Sequence, residues 1–247
     1  MPFFSDQRPV VLIDNSGVGR SQGQVPKTFA EWAKNYVDVL EALGIRRADV
    51  LGFSMGGCVA QLVALNAPRL VRSLILCGTT PSIGQGVAQA PIGPFNQLKA
   101  AATAGEQRQA FLDTFFHSSE RSQAAGRAAW DRIINSRPFR SGYLDAPNSH
   151  RQAISFAKFM DPKLAHDASY CRIHELQIPV LIANGSNDLL LPTENSIVIW
   201  KKLSHANAQL HLYPDAGHGF LYQYADSFSF LVNSFLDEAA AEKTSRL

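Results

Sequence analysis

Val50-Leu51-Gly52-Phe53-Ser54-Met55-Gly56-Gly57 reads as a short apolar strand running through Gly-x-Ser-x-Gly straight into a helix, the pattern of a nucleophile elbow. Gly52 and Gly56 suit a strained corner at which strand and helix backbones pass too closely for a Cβ. Such a corner lifts Ser54 toward a substrate. The following helix, read as Gly56 to Asn66 with Pro68 beyond its end, brings the Met55 N–H and a positive dipole end to the place where an oxyanion would form. A serine in an ordinary glycine-rich turn looks the same over five residues, so the motif counts only with its context.

That context comes from two later segments. Pro179-Val180-Leu181-Ile182-Ala183-Asn184 is a buried-strand pattern followed by Gly185-Ser186-Asn187-Asp188 and then Pro192, which puts Asp188 in the loop just past a strand end. Asp188 is the candidate acid. The strand-like run Ala208 to Tyr213 leads into Pro214-Asp215-Ala216-Gly217-His218-Gly219-Phe220, whose glycines flank one histidine. His218 is the candidate base.

Serine, aspartate and histidine in that chain order, each at the carboxyl end of a predicted strand, follow the order of an α/β-hydrolase. The chain resembles the serine-type α/β-hydrolases from Arg8 nearly to its C-terminus. The resemblance is carried by Asp14-Asn15-Ser16-Gly17-Val18-Gly19-Arg20-Ser21, Gly52 to Gly57, Gly185 to Asp188 and Gly217 to Phe220. It implies a mostly parallel, doubly wound sheet, a core of residues 1–94 and 174–247, and a helical cap over 95–173.

The 247 residues fit one domain, and 46% apolar residues suffice for a large core. A net charge of +2 from interspersed charges leaves no basic stripe for nucleic acid or an anionic membrane surface. Cys58, Cys77 and Cys171 are too scattered for a disulfide framework or a metal site, and they read as free thiols of a reducing compartment. With no cationic leader and no long apolar run, a cytoplasmic protein without a membrane segment is the expectation.

Along the chain, Arg8 to Asp14 reads as a first strand, continuous and β-branched as if covered on both faces. Gly17-x-Gly19-x-x-x-Gly23 after it resembles a dinucleotide fingerprint, but Gln24-Val25-Pro26 intervenes where a helix should open, so no cofactor is inferred. Thr28-Phe29-Ala30-Glu31 is a capping box, and apolar residues then recur at three- and four-residue steps until Gly44. Val71 to Cys77 is another strand. Thr79-Thr80-Pro81 stands at its end, where some related enzymes carry their acid, which leaves Asp188 as the better candidate. The stretch from about Phe95 to Ile173 has a helical pattern throughout. Phe53, Trp130, Phe159 and Met160, with Phe95, are its neighbours and members most suited to face an apolar small-molecule substrate, although core packing explains most such aromatics. His117, His150, His166, His174, His205 and His211 lack metal-ligand spacing and read as surface or satisfied groups. Ser227 to Leu236 forms an apolar helical face expected to pack on the sheet, with Glu238 to Leu247 fraying.

An oxyanion needs two donors, and Met55 N–H supplies one. The family usually takes the second from a His-Gly loop after its third strand, and no His-Gly pair precedes Ser54 here. Two readings follow. An incomplete gene product would have that loop encoded upstream, and this is the expectation. Alternatively the first strand has moved inward, so that Asn15, Ser16 or Gly17 offers the N–H. Loss of one donor costs roughly 10²–10³ in turnover. The expected reaction is hydrolysis of a carboxylic ester of a small to medium apolar substrate. C–C hydrolysis or lyase chemistry on the same triad, or a silent binding protein, stand as alternatives.

Overall fold

The computed structural model describes residues 2–136, 144–166, 168–204 and 206–244. Four strands, β1 (Ala48–Phe53), β2 (Val71–Cys77), β3 (Val180–Gly185) and β4 (Ala208–Tyr213), form one parallel sheet in the order β1-β2-β3-β4. The central strands β2 and β3 are buried almost throughout, which matches their mainly apolar sequences, whereas the outer strands β1 and β4 are only partly buried and carry Asp49, Gln209 and His211. Leu74, Leu76, Val180 and Ile182 point to one helical layer, while Ile75, Cys77, Leu181 and Ala183 point to the other.

Two helices, α1 (Pro2–Ser5) and α2 (Phe29–Ala42), precede β1; α3 (Met55–Asn66) follows it, α4 (Ile92–Ala100), α5 (Ala104–Phe115), α6 (Glu120–Asn135), α7 (Ala146–Phe159) and α8 (Ser169–Arg172) lie between β2 and β3, α9 (Thr193–Lys202) follows β3, and α10 (Phe220–Gln223) and α11 (Ala225–Thr244) follow β4. On one side of the sheet, α2, α3 and α9 bury Phe29, Trp32, Val59, Val63, Ile199 and Leu203. Each such large side chain contributes about 1.5–3 kcal/mol by leaving water. On the other side, α11 seats Phe228, Val232 and Phe235 against the sheet, as the apolar face of the tail requires. The helix continues to Thr244 instead of fraying from Glu238.

Local signals act much as their chemistry dictates. The Thr28 hydroxyl accepts from the Glu31 amide at 3.2 Å, but the Glu31 carboxylate reaches back to the Lys27 amide rather than to Thr28 itself. The reciprocal box forms elsewhere, between Thr103 and Glu106 at the start of α5.

The expected first strand is corrected. Residues 9–14 join no ladder, and Val10, Val11 and Leu12 are 39%, 47% and 64% exposed. The ends of the segment are tied to opposite layers. Arg8 donates to Asn233 and Asp237 on α11, whereas Asn35 on α2 donates to the Ser16 hydroxyl. Drawn between those anchors, it does not lie along β1, whose outer edge has no ladder partner among the described residues. The unpaired groups therefore sit at an edge where Leu51 is exposed, and not in an apolar interior. Between β2 and β3 the described regular structure is entirely helical.

Candidate active site

The elbow forms, but the expectation that both motif glycines are needed for space is corrected at Gly56, where a Cβ would meet nothing within 4 Å. Ser54 sits at φ 58°, ψ −128°, in the left-handed half of backbone space, and α3 begins at the next residue. A Cβ on Gly52 would collide with the Gly56 carbonyl, so only glycine permits that corner. The strained residue is held from two sides. Its N–H donates to the Cys77 carbonyl at 2.9 Å, and its own carbonyl accepts from the Thr79 hydroxyl at 2.8 Å and the Gly57 amide at 2.9 Å. Thr79 stands at the β2 end that the sequence leaves without an acid, and its hydroxyl braces Ser54 there.

Asp188 is immobilised before histidine enters the account. Its Oδ1 accepts from the Leu190 and Leu191 amides at 2.8 and 2.9 Å, and its own N–H donates to Thr193 Oγ1. Oδ2 lies 2.7 Å from His218 Nδ1, with both side chains almost wholly excluded from solvent. The loops bearing these two residues touch through backbone: the Asn187 amide donates to the Ala216 carbonyl at 2.9 Å, and a side chain on Gly185 would strike the Gly217 carbonyl. A buried carboxylate on Nδ1 holds a proton there, which leaves Nε2 as the basic nitrogen. Nε2 is buried and has no hydrogen-bond partner among the described residues. An unpaired buried polar atom costs about 1–3 kcal/mol, a cost that catalytic sites carry in readiness for a partner. Asp188 and His218 are thus joined, whereas Ser54 Oγ has not closed on Nε2. Such bonds are often long until substrate binds.

Around the histidine, Phe53 lies with its ring 4.7 Å from the imidazole, and Phe115 meets it edge-on at 5.0 Å. Phe53 therefore belongs to this neighbourhood. Trp130 packs on Phe111 at 5.5 Å in a small cluster that includes Phe115 and Tyr222. Phe159 and Met160 lie elsewhere, in the main core beside Phe29, and Phe95 stacks toward Phe156. Phe115 belongs to the helical pattern of the insertion, and no local sequence signal distinguishes it from its core neighbours.

Of the amides considered for a second oxyanion donor, that of Gly17 is committed to the Gln22 carbonyl at 3.1 Å, so Gly17 is withdrawn. His117 is satisfied as expected, but by a specific partner, Asp215. His211 lies against Tyr213, and His205 falls outside the described residues. Among the described residues no group of three His, Cys, Asp or Glu is placed to hold a metal, and no helix is long and apolar enough to cross a membrane. An open surface cavity of about 550 Å³ is lined by Lys27, Asn148, His150 and Arg151 among others, none of them a member of the Ser54–His218–Asp188 set.

The thiols separate by environment. Burial pushes Cys58 up to about 11, against weaker opposing bonds to Thr79 and Thr80, and pushes Cys77 up as well, whereas Cys171 is exposed. Because the thiolate is the reactive form, iodoacetamide at neutral pH should alkylate Cys171 and spare the other two until the chain is unfolded. Peptide mass spectrometry reads this directly, and early modification of Cys58 would contradict the tight packing of α3.

A family model described as the alpha/beta hydrolase fold matches residues 1–223, and the chain belongs to that family. It is 28% identical to 2-hydroxymuconate semialdehyde hydrolase from Pseudomonas putida over 96% of this chain and 80% of that protein. It is 27% identical to a 2-hydroxy-6-oxononadienedioate/2-hydroxy-6-oxononatrienedioate hydrolase from a Pseudomonas species, over 92% and 76% of the two chains. Among solved structures, an alpha/beta hydrolase fold protein from Chitinophaga pinensis superposes with a TM-score of 0.77 at 34% identity, covering 91% of this chain and 77% of the other. A meta-cleavage product hydrolase from Pseudomonas fluorescens IP01 has a TM-score of 0.68 at 22% identity, covering 96% and 83%, a likeness of fold alone.

Proposed function

We propose that this chain is a serine-type hydrolase that cleaves a C–C bond beside a carbonyl in a small oxo-dienoate, with Ser54, His218 and Asp188 as its triad. The buried Asp188–His218 pair, with Nε2 unspent, carries the reading. Asp188 fixes the tautomer and steadies the imidazolium that forms. His218 Nε2 takes a proton from Ser54 Oγ, or from a water held there, as that oxygen attacks the carbonyl carbon. Met55 N–H receives the oxyanion. With the dienol first ketonised, the carbon beside the attacked carbonyl is sp3; its bond to that carbonyl then breaks, the electron pair passes into the conjugated 2-oxo-enoate as a dienolate, and His218 returns its proton to that leaving fragment. Where Ser54 Oγ was the attacking atom, a water activated by His218 Nε2 then hydrolyses the acyl-enzyme, releasing the carboxylic acid and restoring the Ser54 hydroxyl.

The names of the relatives support the C–C substrate class. A carboxylic ester, the expectation from the sequence, would use the same residues with an alkoxide as leaving group. The two separate in parallel assays with 2-hydroxymuconate semialdehyde and with short-chain p-nitrophenyl esters. The expected result is a higher kcat/KM for the dienoate; a preference for the esters would overturn the C–C assignment and keep the triad. A second reading, a binding protein without turnover, is favoured by the open Ser54–His218 contact. It requires that neither compound be hydrolysed.

A further inference from the structure

The loop that carries His218 is fastened from outside the sheet. Phe115, at the end of α5, accepts a hydrogen bond from the Gly219 amide at 2.6 Å while its ring meets His218. In the turn that follows, His117 Nδ1 lies 2.8 Å from Asp215 Oδ1, and Ser119 Oγ donates to Asp215 Oδ2 at 2.8 Å. Both carboxylate oxygens of Asp215 are thus engaged by the turn between α5 and α6. Behind them, Gln223 Nε2 donates to the Asp215 carbonyl, the Ser122 hydroxyl donates to Gln223 Oε1, and Gln123 Nε2 donates to the His117 carbonyl. The turn, the histidine loop and α10 form one network.

This network meets the loop where local sequence restrains it least. His218 stands between Gly217 and Gly219, and glycine narrows backbone freedom less than any other residue. Asp188 fixes Nδ1, but the direction of Nε2 also depends on where the backbone sets the ring. Asp215, three positions earlier, is held at φ 50°, a conformation side chains seldom adopt without outside support. The support is the pair of contacts from His117 and Ser119 on its carboxylate, with Gln223 on its carbonyl.

We propose that His117, through Asp215 and with Ser119, is a positioning residue by which the helical insertion aims the imidazole of His218. The proposal rests on the triad reading above, since it gives His218 the role of base. Neither His117 nor Asp215 hydrogen-bonds to Ser54 or Asp188. Their effect travels through the 215–219 loop. The insertion then does more than roof the sheet: its docking completes the base.

The test uses the full chain and the saturation kinetics of fluorophosphonate labelling at Ser54. His117→Ala should lower the maximal labelling rate by about 10- to 100-fold, the scale of a small misplacement of a catalytic group, with the half-saturating probe concentration unchanged. His117→Asn, whose amide occupies the place of Nδ1 and can still donate to Asp215, should recover most of the rate. Asp215→Asn keeps a residue tolerant of positive φ and should fall between the two. Hydrogen exchange at the Gly219 amide should quicken in His117→Ala and return toward wild type in His117→Asn. An unaltered maximal rate in folded His117→Ala, or a change in half-saturation alone, would overturn the proposal. If His117→Ala fails to fold by thermal melting, Asp215→Asn takes its place, since Ser119 also caps α6 by accepting from the Ser122 amide and its removal would disturb that helix; an unaltered maximal rate and unaltered Gly219 exchange in folded Asp215→Asn would then overturn the proposal. If wild type itself is not labelled, the triad reading fails, and Gly219 exchange decides the latch: undiminished protection in His117→Ala then overturns it.

Discussion

Ser54→Ala is expected to abolish labelling of the chain by a fluorophosphonate and to lower turnover of any substrate about 10⁶-fold, and His218→Ala to do nearly the same. The magnitude follows from the way the parts depend on one another. Ser54 Oγ is a weak nucleophile until a base accepts its proton, and Nε2 is a base of no use until a hydroxyl or water is presented to it. Removal of either leaves only binding and the Met55 donor, so the double variant should be scarcely worse than each single one. Intact mass reads the adduct, and melting curves verify that His218→Ala still folds, because that change strips Asp188 of a buried partner. Labelling of His218→Ala at the wild-type rate would show that Ser54 reacts without this histidine, and the triad would fall. Retained ligand binding in Ser54→Ala, with wild type equally inert, would instead favour the binding-protein reading.

What the sequence reveals of this molecule depends on how local each determinant is. Val71–Cys77 and Ala208–Tyr213 are both readable to the residue, the first as a buried, mainly apolar strand and the second as a partly exposed alternating strand bounded by turn residues. Arg8–Asp14 has the same composition and is no strand of the sheet. A pattern of side chains records a preference for extended backbone, whereas a ladder also needs a neighbour within hydrogen-bonding reach, and that is a tertiary fact. The site divides in the same way. Asp188 and His218 are legible because each follows a strand end in a glycine-bearing loop, and a parallel sheet gathers such loops at one edge. Phe159 and Phe115 are both aromatic residues at the ends of insertion helices. One lies in the core against Phe29 and the other against the imidazole of His218, and only the docking of the helices between β2 and β3 separates them. Asp215 lies within the quoted loop, yet its partners come from residues about a hundred positions away in the chain.

The same geometry makes Asp188→Asn the sharper of the triad experiments, with an expected loss in kcat of about 10⁴ and little change in fold. The carboxylate has two separate duties. Oδ1 accepts from the Leu190 and Leu191 amides, and Oδ2 faces His218 Nδ1. An asparagine can keep the first only by placing its carbonyl oxygen on those two donors, which turns its NH₂ toward the imidazole. Nδ1 must then accept instead of donate, the ring proton moves to Nε2, and the nitrogen facing Ser54 loses the lone pair that general-base catalysis requires. Turning the amide over would restore the tautomer but press an NH₂ against two backbone N–H groups, leaving three buried donors without an acceptor at about 1–3 kcal/mol each. The first arrangement therefore wins. A comparison of kcat and KM distinguishes this from general loosening, because exchanging one carboxylate oxygen for NH₂ leaves the shape of the buried side chain almost unchanged, so KM should hold while kcat falls. Proton NMR of the imidazole N–H should show the wild-type Nδ1 resonance disappear in Asp188→Asn. Retention of that resonance together with wild-type turnover would mean that Asp188 only anchors its own loop, and that some other group orients His218.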